Sequence, residues 1–297
     1  MPELPEVETV RRGLEQLVVG RQVLTVDVGR ERTVRRTSAR QLIDGLTGAT
    51  IIAAGRRGKY LLSPLDTGDT LMVHLRMTGK LLLVPPGAPT LPHTHVRLTL
   101  SGEPAEELWF VDPRTFGEMV VFDPDHADVE VPELARLGAD PLADGLTTDD
   151  LRRLLATRRG RLKPLLLDQH VIAGIGNIYA DEILHAGRLH PDRVASSLRR
   201  PELVRLHDAM HDILAAAVGA GGSTLGDSQY VDLMGNGGSY QDDHRVYGRA
   251  GERCSTCGRG IIRRASVNGR STYWCPYCQR APEGLQHPTR SGNPRVT

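Results

Sequence analysis

The chain opens with Met1-Pro-Glu-Leu-Pro-Glu-Val-Glu8, and this stretch supports two interpretations. The first is a helix start, because Pro5 is a favoured first-turn residue and acidic side chains suit the positive end of a helix. The second is chemical: loss of the initiator methionine leaves Pro2 with a secondary amine of pKa near ~8, beside the carboxylate of Glu3. Such an amine attacks a sugar aldehyde carbon to give an iminium, which draws electrons into an elimination. The stretch alone favours the helix start, and the other segments favour the chemistry.

The hydrophobic pattern divides the rest of the chain into strand-rich, helical and cysteine-bearing parts. Apolar residues spaced by three and four predict an amphipathic helix over 5–18. Short apolar runs broken by Gly and Pro predict strands at 22–28, 50–54, 60–65, 70–75, 80–84, 96–100, 108–111 and 118–122. Helical periodicity predicts helices at 147–158, 162–171, 175–186 and 201–218. Many short strands after one leading helix favour a two-sheet sandwich.

These elements predict an α+β protein of several domains. The expected divisions are a β-sandwich with a leading helix at 1–130, a linker at 131–146, a helical domain at 147–245, a cysteine module at 246–282 and a disordered tail at 283–297. The hydrophobic fraction is 39%, without a long uncharged apolar run, so no membrane span or secretory signal is expected.

Charge is segregated along the chain although the formal net charge is only +1. Basic residues concentrate at 11–36, 152–163 and 259–270, and acidic residues at 123–150. Such segregation can give a neutral protein one basic face for nucleic acid. Solvated Arg-rich helix faces are an equally good interpretation of the same pattern.

The four cysteines predict a metal site. Cys254-x-x-Cys257 and Cys275-x-x-Cys278 are separated by seventeen residues, the spacing of a zinc ribbon with two knuckles. Four thiolates close a tetrahedral site, so one structural Zn²⁺ is expected; four unliganded thiols are the alternative. The segments 261–264 and 270–274 should form a hairpin, with Arg270 near its tip and its guanidinium available to a phosphate.

The stretch Gly174-Ile-Gly-Asn177 lies between two predicted helices. A turn there exposes backbone N–H groups at a helix N-terminus, which favours an anion site. The alternative is an ordinary helix-turn-helix packed in a core. His170, His185 and His190 lack ligand spacing and are interpreted as structural.

Together these stretches resemble the formamidopyrimidine-DNA glycosylase family over residues 2 to about 281, in the right order. The resemblance rests on Pro2–Thr9, Gly58-Lys59-Tyr60, His74-Leu-Arg-Met77-Thr-Gly79, Asp112-Pro-Arg114-Thr-Phe116-Gly117, Gly174–Asp181, Val246-Tyr-Gly-Arg-Ala-Gly251 and the four cysteines. It implies an N-terminal β-sandwich, a helix-two-turn-helix domain and a C-terminal zinc-ribbon hairpin.

The resemblance also implies residue roles. The catalytic residues would be Pro2, Glu3, Lys59 and Arg270, with Glu6 as a supporting carboxylate. DNA contacts would come from His74, Met77, His93, His95, Arg114, Phe116 and Asn177. Of these, Met77, Arg114 and Phe116 resemble a wedge that fills the space of a flipped nucleotide, and residues 235–241 a loop that covers the flipped base. Thr115 departs from the family pattern, in which many members carry a second Arg.

The implied activity is base-excision repair on damaged double-stranded DNA, with glycosylase and lyase steps through a Pro2 iminium and β,δ-elimination. Oxidised purines, 8-oxoguanine and formamidopyrimidines, are the expected substrates. One alternative is an endonuclease VIII-like glycosylase for oxidised pyrimidines, and another is a non-catalytic zinc-ribbon protein that binds damaged DNA. The protein is expected to be a monomer in the bacterial cytoplasm, associated with the nucleoid.

Overall fold

The computed structural model describes residues 1–34, 36–226 and 230–281. The tail predicted at 283–297 lies outside these residues, whereas the loop predicted at 235–241 lies within them. The helices are α1 (Leu4–Leu17), α2 (Ala39–Leu46), α3 (Ala127–Glu130), α4 (Pro132–Ala135), α5 (Thr148–Leu155), α6 (Leu162–Leu167), α7 (Asn177–Ala186) and α8 (Arg200–Gly219). The strands are β1 (Val23–Val28), β2 (Gly55–Arg57), β3 (Tyr60–Pro64), β4 (Thr70–His74), β5 (Lys80–Val84), β6 (Thr94–Leu100), β7 (Glu106–Val111), β8 (Glu118–Phe122), β9 (Arg263–Val267) and β10 (Arg270–Trp274).

The N-terminal part contains two four-stranded antiparallel sheets, in the orders β1-β6-β7-β5 and β2-β3-β4-β8. Their apolar faces and the buried face of α1 share one core. The strand predicted at 50–54 is wrong: Thr50 and Ile51 make only isolated bridges, to Gln22 and Leu65, and the paired strand is β2. Helix α2 was not predicted.

The predicted linker is partly ordered by helix α4 and by one buried carboxylate. Asp140 is fully buried and accepts a hydrogen bond from the Gly58 amide at 2.9 Å. It also pairs with the guanidinium of Arg56 at 2.5 Å, and Arg56 reaches Glu8 of α1 at 3.1 Å. The connection is therefore fixed to the sandwich. The domain boundaries themselves stay predictions.

Helices α5–α8 surround a second core, and this core includes Leu4 from the beginning of α1. Leu4 is fully buried there, and its amide donates to the Gly174 carbonyl at 3.0 Å. The N-terminal stretch thus packs directly against the helical domain. Within the described ranges, no helix combines the length and apolar character needed to cross a bilayer.

Strands β9 and β10 form an antiparallel hairpin. Asn268 and Gly269 both have positive φ, which gives the tight turn that precedes Arg270. The hairpin is attached to the helical domain by Asp181 of α7, which accepts from the Tyr273 amide at 2.9 Å. Strand β10 agrees with its predicted bounds, whereas β9 begins two residues later than predicted.

Candidate active site and nucleic-acid interface

The carboxylate of Glu3 lies at the N-terminus of α7. Its two oxygens accept hydrogen bonds from the Ile178 amide at 3.0 Å and the Tyr179 amide at 3.4 Å. The positive end of a helix stabilises a negative charge there. The predicted anion position at this turn is therefore occupied by a carboxylate of the same chain, immediately after Pro2, which is also buried.

Close approach of the turn to Glu3 requires glycine at position 176. A Cβ atom on Gly176 would lie 2.2 Å from Cδ of Glu3, a separation that only displacement of the carboxylate could relieve. The Gly174–Asn177 turn is thus shaped around the Glu3 side chain, which explains its small residues.

Glu6 is the second buried carboxylate of the site. It accepts hydrogen bonds from the Glu3 amide at 2.8 Å, the Ser223 amide at 2.8 Å and the Tyr179 hydroxyl at 2.5 Å. Burial raises the pKa of Glu6 and the charge of Glu3 adds to this, while the hydrogen bonds from Tyr179 and Ser223 act in the opposite direction. A Cβ atom on Gly222, whose φ is +81°, would lie 2.8 Å from Oε1 of Glu6.

Lys59 is buried on the same side of the turn, and its ammonium donates to the Ile175 carbonyl at 3.1 Å. Burial lowers the pKa of Lys59; the charge of Glu3 opposes this and that of Arg270 adds to it. Lys59 and Glu3 are therefore held at the same turn, with Arg270 close enough to act on the lysine electrostatically.

Arg270 begins β10 and is exposed. Behind it, the carbonyl of Ser271 accepts from the Asn177 amide group at 3.0 Å and from Lys163 at 2.9 Å. Lys163 also pairs with Asp181 at 2.7 Å in a buried ion pair. The first residue of α7 and the hairpin are thereby joined, and Asn177 bonds to the residue that follows Arg270.

His74, at the end of β4, is buried and packs edge-on against Tyr60. Burial lowers its pKa well below the usual value, with further lowering by Arg76 and Lys59, so the imidazole is neutral at pH 7. Its Nδ1 accepts from the Arg76 amide at 2.9 Å. The hydrogen is therefore assigned to Nε2, which leaves that nitrogen as a donor.

The predicted wedge residues lie on two adjacent loops that Asp112 connects. Met77 is 38% and Phe116 36% exposed, high values for large apolar side chains. The Arg114 guanidinium lies 4.9 Å above the Phe116 ring. Buried Asp112 bonds to the Thr78 hydroxyl and accepts from the Gly117 amide at 2.7 Å. Asp112 thus holds together the two loops that carry Met77, Arg114 and Phe116.

Positions 93, 95 and 115 differ in accessibility. His93 is exposed, with φ +67°. His95 is 5% exposed and its Nε2 lies 2.8 Å from the Asp112 carbonyl, so in this structure it supports the loop that carries Arg114. Thr115 is buried at φ +54°, an unusual conformation for a β-branched residue. The DNA-contact roles of both histidines stay predictions.

The predicted covering loop is anchored just before its first residue and near its middle. Leu233 is buried in the sandwich core and its carbonyl accepts from the Leu83 amide at 2.8 Å. The hydroxyl of Thr224 accepts from the Gly238 amide at 2.9 Å. Met234, by contrast, is 57% exposed.

The four cysteines cluster with their Sγ atoms all within 4.8 Å of one another. A tetrahedral ion with Zn–S bonds of about 2.3 Å requires sulfur separations of about 3.8 Å. The pairs Cys254–Cys278 and Cys257–Cys275 lie at 3.9 and 3.7 Å. The Nε2 atom of His185 lies 3.5 Å from Cys254 Sγ, a contact that stabilises a thiolate. The donor set fits one structural Zn²⁺.

Several residues of the site were not predicted from the sequence. Tyr179 and Ser223 bond to Glu6, and His244 bonds to Ser223. Glu182 accepts three amide hydrogen bonds from residues 245–247 and so fixes the chain that leads to the cysteines. Only those on α7 carry a sequence signal, a polar side chain within an apolar helix, as at Glu182; Ser223 and His244 lie outside the helices.

Two family models match the chain. The model of the formamidopyrimidine-DNA glycosylase N-terminal domain matches residues 1–119, and that of the formamidopyrimidine-DNA glycosylase H2TH domain matches residues 137–229. The chain belongs to the formamidopyrimidine-DNA glycosylase family. This confirms the resemblance inferred from the motifs, and with it the predicted order of sandwich, helix-two-turn-helix domain and cysteine-bearing hairpin.

Curated formamidopyrimidine-DNA glycosylases are similar over nearly the whole chain. That of Nocardioides sp. is 45% identical over 285 residues, covering 95% of both chains. That of Pelotomaculum thermopropionicum is 42% identical over 280 residues, covering 94% of this chain and 99% of the relative. These relatives carry the name of the purine-directed enzyme that the sequence predicted, and not that of the endonuclease VIII-like alternative.

Solved structures of the formamidopyrimidine-DNA glycosylase family agree in fold. The Lactococcus lactis enzyme in complex with DNA containing an abasic site has a TM-score of 0.85 and 36% identity, covering 94% of this chain and 100% of its own. MutM in complex with DNA containing carbocyclic 8-oxo-G has a TM-score of 0.84, 36% identity and the same coverage.

Proposed function

We propose that this chain is a base-excision repair enzyme that removes oxidised purines, 8-oxoguanine and formamidopyrimidines, from duplex DNA and then cleaves the abasic site. The observation that carries the proposal is the Glu3 carboxylate, held by two amides of α7 beside Pro2. A carboxylate fixed next to a terminal secondary amine is a proton shuttle beside a nucleophile. A protein that only bound DNA would need neither group.

The proposed reaction begins when the Pro2 nitrogen attacks C1′ of the damaged nucleotide. The bond from C1′ to the base breaks and the base leaves with a proton, while Glu3 protonates the opening sugar. The resulting iminium is an electron sink. Removal of a C2′ proton expels the 3′ phosphate, and removal of a C4′ proton then expels the 5′ phosphate. Because the attacking group is an amine, one site serves both glycosylase and lyase steps.

Four residues support a proposed clamp on the phosphates beside the lesion: Lys59, His74, Asn177 and Arg270. Two are cationic side chains and two are neutral donors, and such contacts position a strand without reading its sequence. Met77, Arg114 and Phe116 would fill the gap that the flipped nucleotide leaves. Flipping costs a few kcal/mol, which stacking on Phe116 and a hydrogen bond from Arg114 would offset.

Zn²⁺ in the four-cysteine site would stabilise the fold of the hairpin that presents Arg270, and it takes no part in the chemistry. The expected partner is damaged double-stranded DNA, bound by a monomer. We place the activity in the bacterial cytoplasm at the nucleoid, because chromosomal DNA carries the substrate.

Borohydride trapping on a duplex with 8-oxoguanine opposite cytosine tests this proposal. Borohydride reduces an iminium to a stable amine, so a covalent DNA–protein adduct should form and map to Pro2. Pro2→Gly should lose most of the adduct. The matched control is Pro5→Ala, which changes the other proline of the same stretch and should still form the adduct.

Two outcomes would contradict parts of the proposal. Preference for thymine glycol over 8-oxoguanine would favour the pyrimidine-directed alternative. No adduct on 8-oxoguanine or abasic DNA, from protein that lacks Met1, would favour a DNA-binding protein without catalysis.

A further inference from the structure

A chain of buried hydrogen bonds leads away from Glu6 to a histidine that the proposed mechanism does not use. The Tyr179 hydroxyl bonds to Glu6, and the Ser223 hydroxyl lies 3.1 Å from that of Tyr179. The Nε2 atom of His244 lies 3.1 Å from the Ser223 hydroxyl, and His244 is 4% exposed. The chain of hydrogen bonds thus joins α1 and α7 to Ser223 and to His244, which lie on either side of the covering loop in the sequence.

We infer that His244 is a positioning residue, which acts through Ser223 and Tyr179 to hold Glu6 as a carboxylate that accepts the Glu3 amide. The inference rests on the proposed function, because it assigns a role within that reaction.

The direction of the hydrogen bonds follows from the number of hydrogens. An ionised Glu6 only accepts, so Tyr179 must donate its single hydroxyl hydrogen to it. The Tyr179 oxygen then accepts from Ser223, which has one hydrogen as well. The Ser223 oxygen is left to accept from Nε2–H of His244. Hydrogen bonds aligned in this way polarise one another, so the donor at the far end strengthens the bond to Glu6.

The surroundings keep His244 neutral in this role. Burial lowers its pKa to about 4, against the raising effect of Asp242 and Asp243, while Arg249 lowers it further. The rings of Tyr240 and Tyr247 pack edge-on against it. A neutral imidazole with its hydrogen on Nε2 is therefore the expected form across the working pH range.

The pKa of Glu6 also depends on the other charged and titratable groups around it. They are Glu3, Lys59 and the hydroxyls of Tyr179 and Tyr230. None of these is altered by substitution of His244, so a change in the ionisation of Glu6 would be transmitted through Ser223 and Tyr179.

The test is the pH profile of single-turnover iminium trapping on abasic DNA between pH 5 and 9. The ionisation that belongs to Glu6 is identified by its absence in Glu6→Gln. His244→Leu should raise this apparent pKa by about half a unit, the expected effect of losing one distant donor. His244→Gln, which keeps a donor at the same reach, should restore the wild-type profile. Affinity for an uncleavable abasic-site analogue should be unchanged in both variants.

A double-substitution cycle tests the route. Tyr179→Phe removes the direct hydrogen bond to a charged group and should raise the same pKa by about one to two units. Because His244 acts through Tyr179, the double variant should shift no further than Tyr179→Phe alone. Additive shifts, an unshifted His244→Leu profile, or a His244→Gln profile equal to that of His244→Leu would each overturn the inference.

Two further measurements keep the test decisive. If His244→Leu does not fold, Ser223→Ala takes its place, because this variant removes the hydroxyl but keeps the amide that bonds to Glu6. The pH profile of Ser223→Ala must then shift, and an unshifted profile overturns the inference. Failure of the proposed function itself is distinguishable, because wild-type protein would then give no trapped adduct.

Discussion

Glu3 and Glu6 are three residues apart, yet the structure gives them different environments. Glu3 accepts from two amides at the positive end of α7, whereas Glu6 lies among hydroxyl and amide donors within the protein. Only Glu3 adjoins the terminal proline. This difference supports Glu3 as the proton shuttle and Glu6 as its support.

Arg270→Ala should weaken binding to damaged and undamaged duplex alike, because a phosphate contact carries no sequence information. The slope of log affinity against log salt concentration should become shallower by about one. Arg263→Ala is the matched control, an exposed arginine at the other end of the same hairpin, and should leave the slope unchanged. An unaltered slope in Arg270→Ala would contradict the phosphate role.

For single residues, the sequence predicted the site only where the partners are neighbours in the chain. Pro2 and Glu3 are adjacent in the chain, so their pairing could be proposed at once. Tyr179 and Ser223 reach Glu6 from 173 and 217 positions away, and His244 bonds to Ser223. No spacing rule connects them, and only the folded chain does.

Among the elements, the N-terminus of α7 organises the site. It supplies amides to Glu3 and, through Asn177, a donor to the hairpin. The preceding turn places the Ile175 carbonyl against Lys59. One short turn thus orients groups from three distant segments.

Gly176→Ala should therefore reduce the rate of iminium trapping by roughly 10- to 100-fold, because its Cβ would displace the Glu3 carboxylate. Gly219→Ala is the control, since a Cβ there meets nothing within 4 Å and its φ is ordinary. Both variants should fold with similar melting temperatures. Wild-type rates in Gly176→Ala would refute the role given to the turn.

Removal of zinc by a chelator should unfold the hairpin and abolish DNA binding, because the four cysteines lose the ion that links them and such modules obtain most of their folding free energy from the metal. Amide hydrogen exchange should rise in β9 and β10 and stay slow in α8. Metal analysis before chelation should give one zinc per chain. Full activity in a zinc-free sample would refute the structural role.

Element prediction succeeded where apolar residues repeat over at least five positions, as in β4, β5 and α8. It failed at β2, whose three residues carry no apolar side chain, and at 50–54, where an apolar run forms only isolated bridges. Whether an extended segment forms a continuous ladder or only isolated bridges depends on the segment that lies beside it, and the local sequence does not specify that partner.

Across the whole molecule, Leu4 packs the N-terminal stretch against the helical domain, and buried charge holds the connecting segment on the sandwich. Arg56 is 4% exposed and bonds to both Glu8 and Asp140. Burial acts to raise the pKa of Asp140, but the hydrogen bonds and charge of Arg56 lower it below its usual value. The pair therefore stays ionised.

Asp140→Ala should lower the free energy of unfolding by about 3 kcal/mol or more, because it leaves the Arg56 guanidinium buried with only part of its partners. The control is Asp27→Ala, which breaks the exposed pair with Arg97 and should cost less than about 1 kcal/mol. Urea denaturation of both variants measures the difference. Equal losses would contradict a special role for the buried pair.

The capture of Glu3 by amides of residues 178 and 179 has a consequence for synthesis on the ribosome. The terminal proline emerges first, but its partner carboxylate cannot be oriented until more than half of the polypeptide has left the exit tunnel. Ser223 and the hairpin follow later still. On the proposed mechanism, a nascent sandwich would carry its amine without the groups that orient Glu3, and reactivity toward DNA would wait until the helical domain and the hairpin have been made.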